Sequence, residues 1–206
     1  MAKYYTAYDT TLPDDLIDVM CKQLHSTEGQ LRDATTFNDS GKDVRDSKVT
    51  WLQDTSWIAG LCFYYVMKAN RENFLYDLDS FDDGTLQYTY YSSGGHYSWH
   101  SDQCLLGVSD SLDRSSSWRS EEQERQFVVR GAEKVRKLSF SLQLSDPSEY
   151  EGGELQIMHD DGTMLTLPRE KGKMAVFDSR TLHRVRKVTD GQRRVLVGWV
   201  VGPRWR

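Results

Sequence analysis

A chain of 206 residues can bury one core of ordinary size but is too short for several large domains. With 31 acidic against 26 basic residues, a net charge of -5, it lacks the basic excess of a general nucleic-acid binder. No apolar run is long enough to span a bilayer, Met1 to Thr10 lack the apolar centre of a signal peptide, and the odd, widely spaced Cys21, Cys62 and Cys104 fit reduced thiols, so a cytoplasmic protein is expected, with no membrane partner.

The first 80 residues read mainly as helix. After Leu12-Pro13, with Pro13 suited to a first helical position, Leu16, Ile17, Met20 and Leu24 recur at helical spacing, and Asp14 and Asp15 favour the positive N-terminal end. Residues 35–46 are polar and turn-rich, a loop before a short strand around Val49-Thr50-Trp51-Leu52. A second helix is expected from Asp54 or Thr55 toward Phe74. Its Tyr64 and Tyr65, with Trp51 and Trp57, read as core aromatics.

From about residue 81 the texture changes to short strands separated by glycine and aspartate turns, the pattern of an antiparallel sandwich or barrel. Expected strands are 85–91, 97–103, 138–144, 154–159, 164–167, 173–177, 181–187 and 193–201. In the third, Leu138, Phe140, Leu142 and Leu144 alternate with Ser139, Ser141 and Gln143, giving one dry and one polar face. Eight strands in two facing sheets make a jelly roll, with the preceding helices covering one sheet from outside. Residues 104–137 interrupt the pattern with a run rich in Ser, Arg and Glu, which reads either as an active-site lid or as a solvated insertion.

Three residues carry chemistry. His100 and Asp102 stand two apart, so on a regular strand they share a face and can bind one ion together. His183, on a later strand, supplies a third ligand. Two His and one carboxylate with the remaining positions open is the arrangement of non-haem Fe(II) oxygenases. A carboxylate at position 102 leaves no ligand gap for a halide, which favours hydroxylation over halogenation. Arg193, ten residues after His183, is suited to grip a carboxylate through its planar fork. Strand alternation puts Trp199 on the Arg193 face and Arg194 outside, and sets Tyr97 and Trp99 opposite His100. Tyr97, Trp99 and Trp199 are therefore possible pocket walls, with only one of the groups on strand 97–103 able to share the ligand face if that strand is regular. His96 and His159 read as turn residues and His25 as exposed on a helix.

The ordered motifs Tyr91-Ser92-Ser93-Gly94-Gly95-His96-Tyr97-Ser98-Trp99-His100-Ser101-Asp102, then 136–144 leading to Tyr150-Glu151-Gly152-Gly153-Glu154-Leu155, then Phe177 to His183 and Gly191-Gln192-Arg193, resemble the prolyl 4-hydroxylase branch of the Fe(II)/2-oxoglutarate dioxygenases, in particular bacterial and viral prolyl and lysyl hydroxylases. The resemblance covers about 125 C-terminal residues. It implies an α+β, mainly β, fold: a double-stranded β-helix (jelly roll) with N-terminal supporting helices, in one domain over 1–206, with 1–80 as support and 81–206 as the catalytic core. It also implies iron held by His100, Asp102 and His183, 2-oxoglutarate held by Arg193 and lined by Tyr91 (or Tyr90, if the register slips by one), O2 as co-reactant and ascorbate as a stimulant. The implied reaction couples decarboxylation of 2-oxoglutarate to hydroxylation of a prolyl residue in a peptide or protein. The alternatives are hydroxylation of a free amino acid or other small molecule, and a non-catalytic jelly-roll binding module. Nucleic acid is not an expected partner.

Overall fold

The computed structural model describes residues 5–9, 12–34, 44–102, 134–159 and 161–205. The N-terminal part comprises β1 (Tyr5–Asp9), α1 (Asp14–His25), β2 (Arg32–Asp33), β3 (Arg45–Asp46), β4 (Lys48–Gln53) and α2 (Trp57–Ala69). Then come β5 (Ser80–Phe81), β6 (Thr85–Tyr91), β7 (His96–His100), β8 (Lys134–Gln143), β9 (Tyr150–Gly152) and β10 (Leu155–Met158). The chain ends with β11 (Met164–Thr166), β12 (Lys173–Asp178), β13 (Leu182–Val185), β14 (Val188–Gly191) and β15 (Arg193–Pro203).

Helix α1 buries Ile17, Met20 and Leu24, one stripe at helical spacing, and carries Asp14 and Asp15 in its first turn. Pro13 stands one position earlier than expected. With ψ at 142° it is outside the helix, and its carbonyl accepts the first bonds from Leu16 and Ile17. Helix α2 starts two or three residues later than the sequence pattern predicts, because the Ser56 hydroxyl accepts from the Ile58 N–H and so fixes the cap. Ala59, Cys62 and Ala69 on its buried face are small, which lets the helix lie close to the sheet beneath.

That sheet has eight strands in the order β1-β12-β8-β15-β6-β4-β2, with β5 also paired to β15. Facing it is a five-stranded sheet, β11-β10-β13-β7-β3, and β14 pairs with β9 in a small ribbon. The pairings are antiparallel, and the two facing sheets form the double-stranded β-helix. The eight expected strands are present with shifted ends. In particular β8 begins at Lys134, so the expected insertion at 104–137 is four residues shorter at its end; residues 104–133, with the lid reading, lie outside the described residues. Strand β1 was not anticipated. It pairs with β12 from Tyr5↔Phe177 to Asp9↔Lys173 and extends the large sheet at one edge.

Two cores flank the large sheet. Outside, Leu86, Tyr88, Leu138, Phe140, Leu142, Val176 and Leu196 pack against α1 and α2. Gly198 belongs to this layer because the Phe140 ring covers it, and a Cβ there would stand 2.6 Å from the ring. Inside, between the sheets, Tyr91, Leu155, Ile157, Phe177, Val185 and Val195 form the second core.

The polar residues of β8 sit between the two sheets. Ser139, Ser141 and Gln143 are 1%, 4% and 3% exposed, so the expected polar face is real but sealed inside. Three of the four aromatics read as core are surface residues: Trp51 is 50%, Trp57 44% and Tyr64 57% exposed. Trp57 and Tyr64 lie on the outer side of α2, while Trp51 lies on the inward parity of β4 at the open rim. No helix among the described residues is long and apolar enough to cross a membrane.

Candidate metal and cosubstrate site

The two histidines come from adjacent strands of the smaller sheet, paired His183↔His100. Asp102 follows β7 directly, and its N–H donates to the Ser179 carbonyl at 2.9 Å, tying it to the turn before β13. The Asp102 carboxylate lies 3.7 Å from His100 Nε2 and 3.3 Å from His183 Nε2. One donor atom from each of the three residues falls within 4.8 Å of the others.

Both imidazoles are oriented by the same device. Nδ1 of His100 meets the Ser98 carbonyl at 2.7 Å and Nδ1 of His183 meets the Thr181 carbonyl at 2.9 Å. A carbonyl can only accept, so Nδ1 carries the proton and Nε2 is the end turned toward Asp102. Burial, and then the neighbouring His183, push His100 down to about 4, which keeps it neutral near pH 7. Burial works against the Asp102 charge, but the ion pair and hydrogen bond with His183 outweigh it and hold the carboxyl well below the usual range. Burial likewise opposes a charge on His183, and Asp102 outweighs it in the other direction. The centre thus has the electrostatics to hold a cation between two imidazoles and a carboxylate. The donor set fits Fe(II).

Sequence alternation misplaced one residue. Val185 pairs with Tyr97 while His183 pairs with His100, so three steps on β7 match two on β13. This bulge changes the parity of the strand. Tyr97 therefore shares the metal face, its ring stacked on His100 with centroids 3.5 Å apart, and Arg45 stands over it at 4.6 Å. Trp99 is turned the other way, against Arg184 on the outer surface at 4.6 Å, which corrects its expected place in the pocket wall.

Arg193 opens β15 in the large sheet and is 1% exposed. Its Nη2 donates to Gln143 Oε1 at 3.0 Å, while its Nη1 is buried with no hydrogen-bond partner. The register Arg193↔Tyr91 and Arg194↔Tyr90 puts Tyr91 beside the buried guanidinium and Tyr90 beside the outward one. Trp199 faces inward from the same strand at the rim, 6.4 Å from Trp51, with the Arg136 guanidinium 4.1 Å above its ring. His96 begins β7, His159 closes the turn to β11 through Gly162 and Thr163, and His25 is the exposed last residue of α1.

The sequence signature of the family described as "2OG-Fe(II) oxygenase superfamily" matches residues 86–201. The chain belongs to the 2OG-Fe(II) oxygenase superfamily. A PKHD-type hydroxylase of Parvibaculum lavamentivorans is 37% identical over 110 residues, 53% of this chain and 38% of that protein. The chain spans between 28% and 58% of the length of the curated hydroxylases it matches. Among solved structures, a Pseudomonas putida prolyl-4-hydroxylase superposes with a TM-score of 0.66 at 19% identity, covering 98% of this chain and 93% of that one. A Trichoplax adhaerens prolyl hydroxylase, in complex with a hypoxia inducible factor peptide fragment, superposes with a TM-score of 0.69 at 12% identity, covering 96% and 83%. Both are similar in fold. The family uses Fe(II), 2-oxoglutarate and O2, and the His100, Asp102 and His183 cluster and the unpaired Arg193 donor suit the first two.

Sequence reasoning gave no role to Arg45, Arg136 and Gln143. The alternation of Ser139, Ser141 and Gln143 was the available signal for Gln143, since a polar face on a strand paired with β15 looks toward Arg193.

Proposed function

We propose that this oxygenase hydroxylates prolyl residues in a peptide or protein, with Fe(II) held by His100, Asp102 and His183 and 2-oxoglutarate anchored by Arg193 beside Tyr91. The observation that carries the reading is the buried Nη1 of Arg193, a cationic donor without a partner inside the chamber that also holds the metal-ligand cluster. Leaving a buried charged donor unsatisfied costs several kcal/mol, so the position favours an anionic ligand. Bound at the cluster, Fe(II) would supply activation of O2 coupled to decarboxylation of the 2-oxo acid.

The chain's own residues provide placement. Carbonyls of Ser98 and Thr181 lock the two imidazoles, the Ser179 carbonyl locks the Asp102 backbone, and Arg193 fixes the far end of the 2-oxo acid. The apolar Phe177, Val185 and Val195 limit water around the reacting atoms. At the rim, Tyr97, Trp199 and Trp51 offer flat apolar faces to an entering chain, with Arg136 held over Trp199 by Asp82. The prolyl hydroxylase folds among the solved relatives, one in complex with a peptide, support a peptide substrate. Free thiols at Cys21 and Cys62 favour a cytoplasmic setting, and we propose one domain in which the N-terminal helices serve as support.

The test is incubation with Fe(II), 2-oxoglutarate and ascorbate over a proline-bearing peptide library, reading succinate and locating by mass spectrometry any residue that gains one oxygen. Succinate tied to oxidised prolyl residues is expected. Oxygen found only on free amino acids would move the reading to a small-molecule hydroxylase; neither succinate nor 2-oxoglutarate binding would leave a binding module.

A further inference from the structure

Most polar groups that face the interior of the double-stranded β-helix are satisfied within the protein. Gln143 Oε1 accepts from Arg193, its amide donates to Ser141 at 3.3 Å, Gln87 donates to Thr89 at 2.7 Å, and Ser139 pairs with Ser179 at 2.9 Å. Among the described residues three donors on neighbouring side chains remain buried without a hydrogen-bond partner, Arg193 Nη1, the Tyr150 hydroxyl and, behind the Tyr150 ring, Arg169 Nε; the first two lie together. Their contact is fixed by Gly153. A Cβ built there would lie 3.0 Å from Arg193 Cδ and 3.5 Å from Tyr150 Cε2, so both side chains close over one backbone position that only glycine leaves open.

We propose that the Tyr150 hydroxyl is the second donor to the far carboxylate of the cosubstrate, and that Arg169 is the positioning residue that holds Tyr150 there; this rests on the cosubstrate reading of Arg193 given above. A carboxylate has two oxygens, and Arg193 has one of its two terminal nitrogens already engaged by Gln143. A neutral phenol supplies a strong charge-assisted bond to the other oxygen without the desolvation of a second buried cation. Tyr91 and Tyr150 also offset the effect of burial on the Arg193 charge, Tyr150 partly through the approach of its oxygen to the guanidinium, which leaves the phenol O–H free to donate.

Tyr150 is held on all sides. Its residue is 4% exposed, with the ring in the inner core beside Val188 and Leu155. The Arg169 guanidinium lies 4.5 Å over the ring, and its Nη2 donates to the carbonyls of Pro147 at 3.1 Å and Tyr150 itself at 2.8 Å. Arg169 thus clamps ring and backbone together. Gly191 presses on the same backbone, since a Cβ there would overlap the Glu149 carbonyl oxygen.

Packing alone accounts for the ring but not for the oxygen. A buried hydroxyl without a partner costs about 1–3 kcal/mol, which a phenylalanine would avoid. The two accounts therefore predict opposite things for Tyr150→Phe. As a ligand donor, its loss leaves the unliganded protein as stable as before or more so, yet weakens 2-oxoglutarate binding by about tenfold or more.

The experiment is calorimetric titration of 2-oxoglutarate into the Mn(II)-loaded protein, which gives affinity without turnover, alongside thermal unfolding of the protein without ligand. Pyruvate, a 2-oxo acid with no far carboxylate, is the comparison ligand. Tyr150→Phe should bind 2-oxoglutarate more weakly with unchanged pyruvate affinity and an equal or higher Tm. Arg169→Leu should lower both Tm and 2-oxoglutarate affinity in the wild-type background. Added to Tyr150→Phe, it should still lower Tm but take little further 2-oxoglutarate affinity, the signature of action through Tyr150. Unchanged 2-oxoglutarate affinity in Tyr150→Phe, or an equal loss for pyruvate, would overturn the assignment of Tyr150. Full additivity in the double variant would overturn that of Arg169. If Arg193→Ala binds 2-oxoglutarate as tightly as wild type, the cosubstrate reading itself fails and the inference with it.

Discussion

The two faces of the large sheet use the same strands for different purposes. On β8, Leu138, Phe140 and Leu142 point outward into a dry layer under α1 and α2, while Ser139, Ser141 and Gln143 point inward to the chamber that contains the metal-ligand cluster. Neighbouring β6 and β15 repeat the division, with Tyr88 and Leu196 outside and Thr89 and Arg193 inside. Burial is nearly complete on both faces, so exposure does not distinguish them. What separates them is how polar groups are satisfied: the outer face has few to satisfy, and the inner face pairs most of its own and leaves a few donors without partners.

The largest break in this comparison is expected from His183→Ala, which should reduce metal-dependent succinate formation to background by removing a ligand; activity near that of wild type would exclude His183 from the centre. On the other face, Phe140→Ala should cost about 3–5 kcal/mol of stability by emptying the space over Gly198, with turnover per folded molecule preserved. Urea unfolding together with activity in the native baseline checks this, and a drop in turnover before unfolding would show that the faces are not separable.

Asp178 tests the seam where the faces meet. It accepts from the Tyr76 hydroxyl at 2.6 Å and from Arg180, in the turn whose Ser179 carbonyl holds the Asp102 N–H. Burial works against its charge, but the bonds from Arg180 and Tyr76 prevail and its carboxyl titrates below its ordinary value. With the folded value depressed, the stabilisation is full above the unfolded value of about 4 and is lost as pH falls through the folded one. Asp178→Asn should cost about 2 kcal/mol near neutral pH, a figure kept low because Arg180 is half exposed, and the difference from wild type should shrink in acid. Unfolding curves at neutral pH and below pH 4 measure it; a gap that widened in acid would reverse the sign of the argument. The smallest change is Ser141→Ala, under about 1 kcal/mol, because Gln143 keeps its bond to Arg193.

That His100, Asp102 and His183 could meet was legible because their spacing is local and their residue types are few: they needed only a strand, a turn and a second strand. The inward, buried position of Arg193 was legible from the alternation of β15, which is regular where it pairs with β6. The side taken by Tyr97 was misjudged because alternation presumes an unbroken ladder and a bulge leaves no mark in composition, whereas Trp99 faces away from His100 as alternation requires. The exposure of Trp51 and Tyr64 was hidden because a helix or strand rich in aromatics reads the same whether its partner is a core or a rim. Strand β1 is short and mixed in character, and its existence depends on β12 having a free edge, a tertiary fact. The inward direction of Ser139 and Ser141 likewise depended on which side of the sheet the helices cover.

The bulge between Tyr97 and His100 also bears on how the chamber tolerates change. In a regular strand two side chains three positions apart can never look the same way, so the stacked pair exists only because one additional residue is accommodated there. Straightening the strand over residues 97–100 without changing a residue would leave every candidate ligand in the chain, yet swing Tyr97 to the outside and away from the His100 ring. For anyone grafting this strand into another scaffold, the bulge at that point is part of the recognition code, as much as the identity of the side chains.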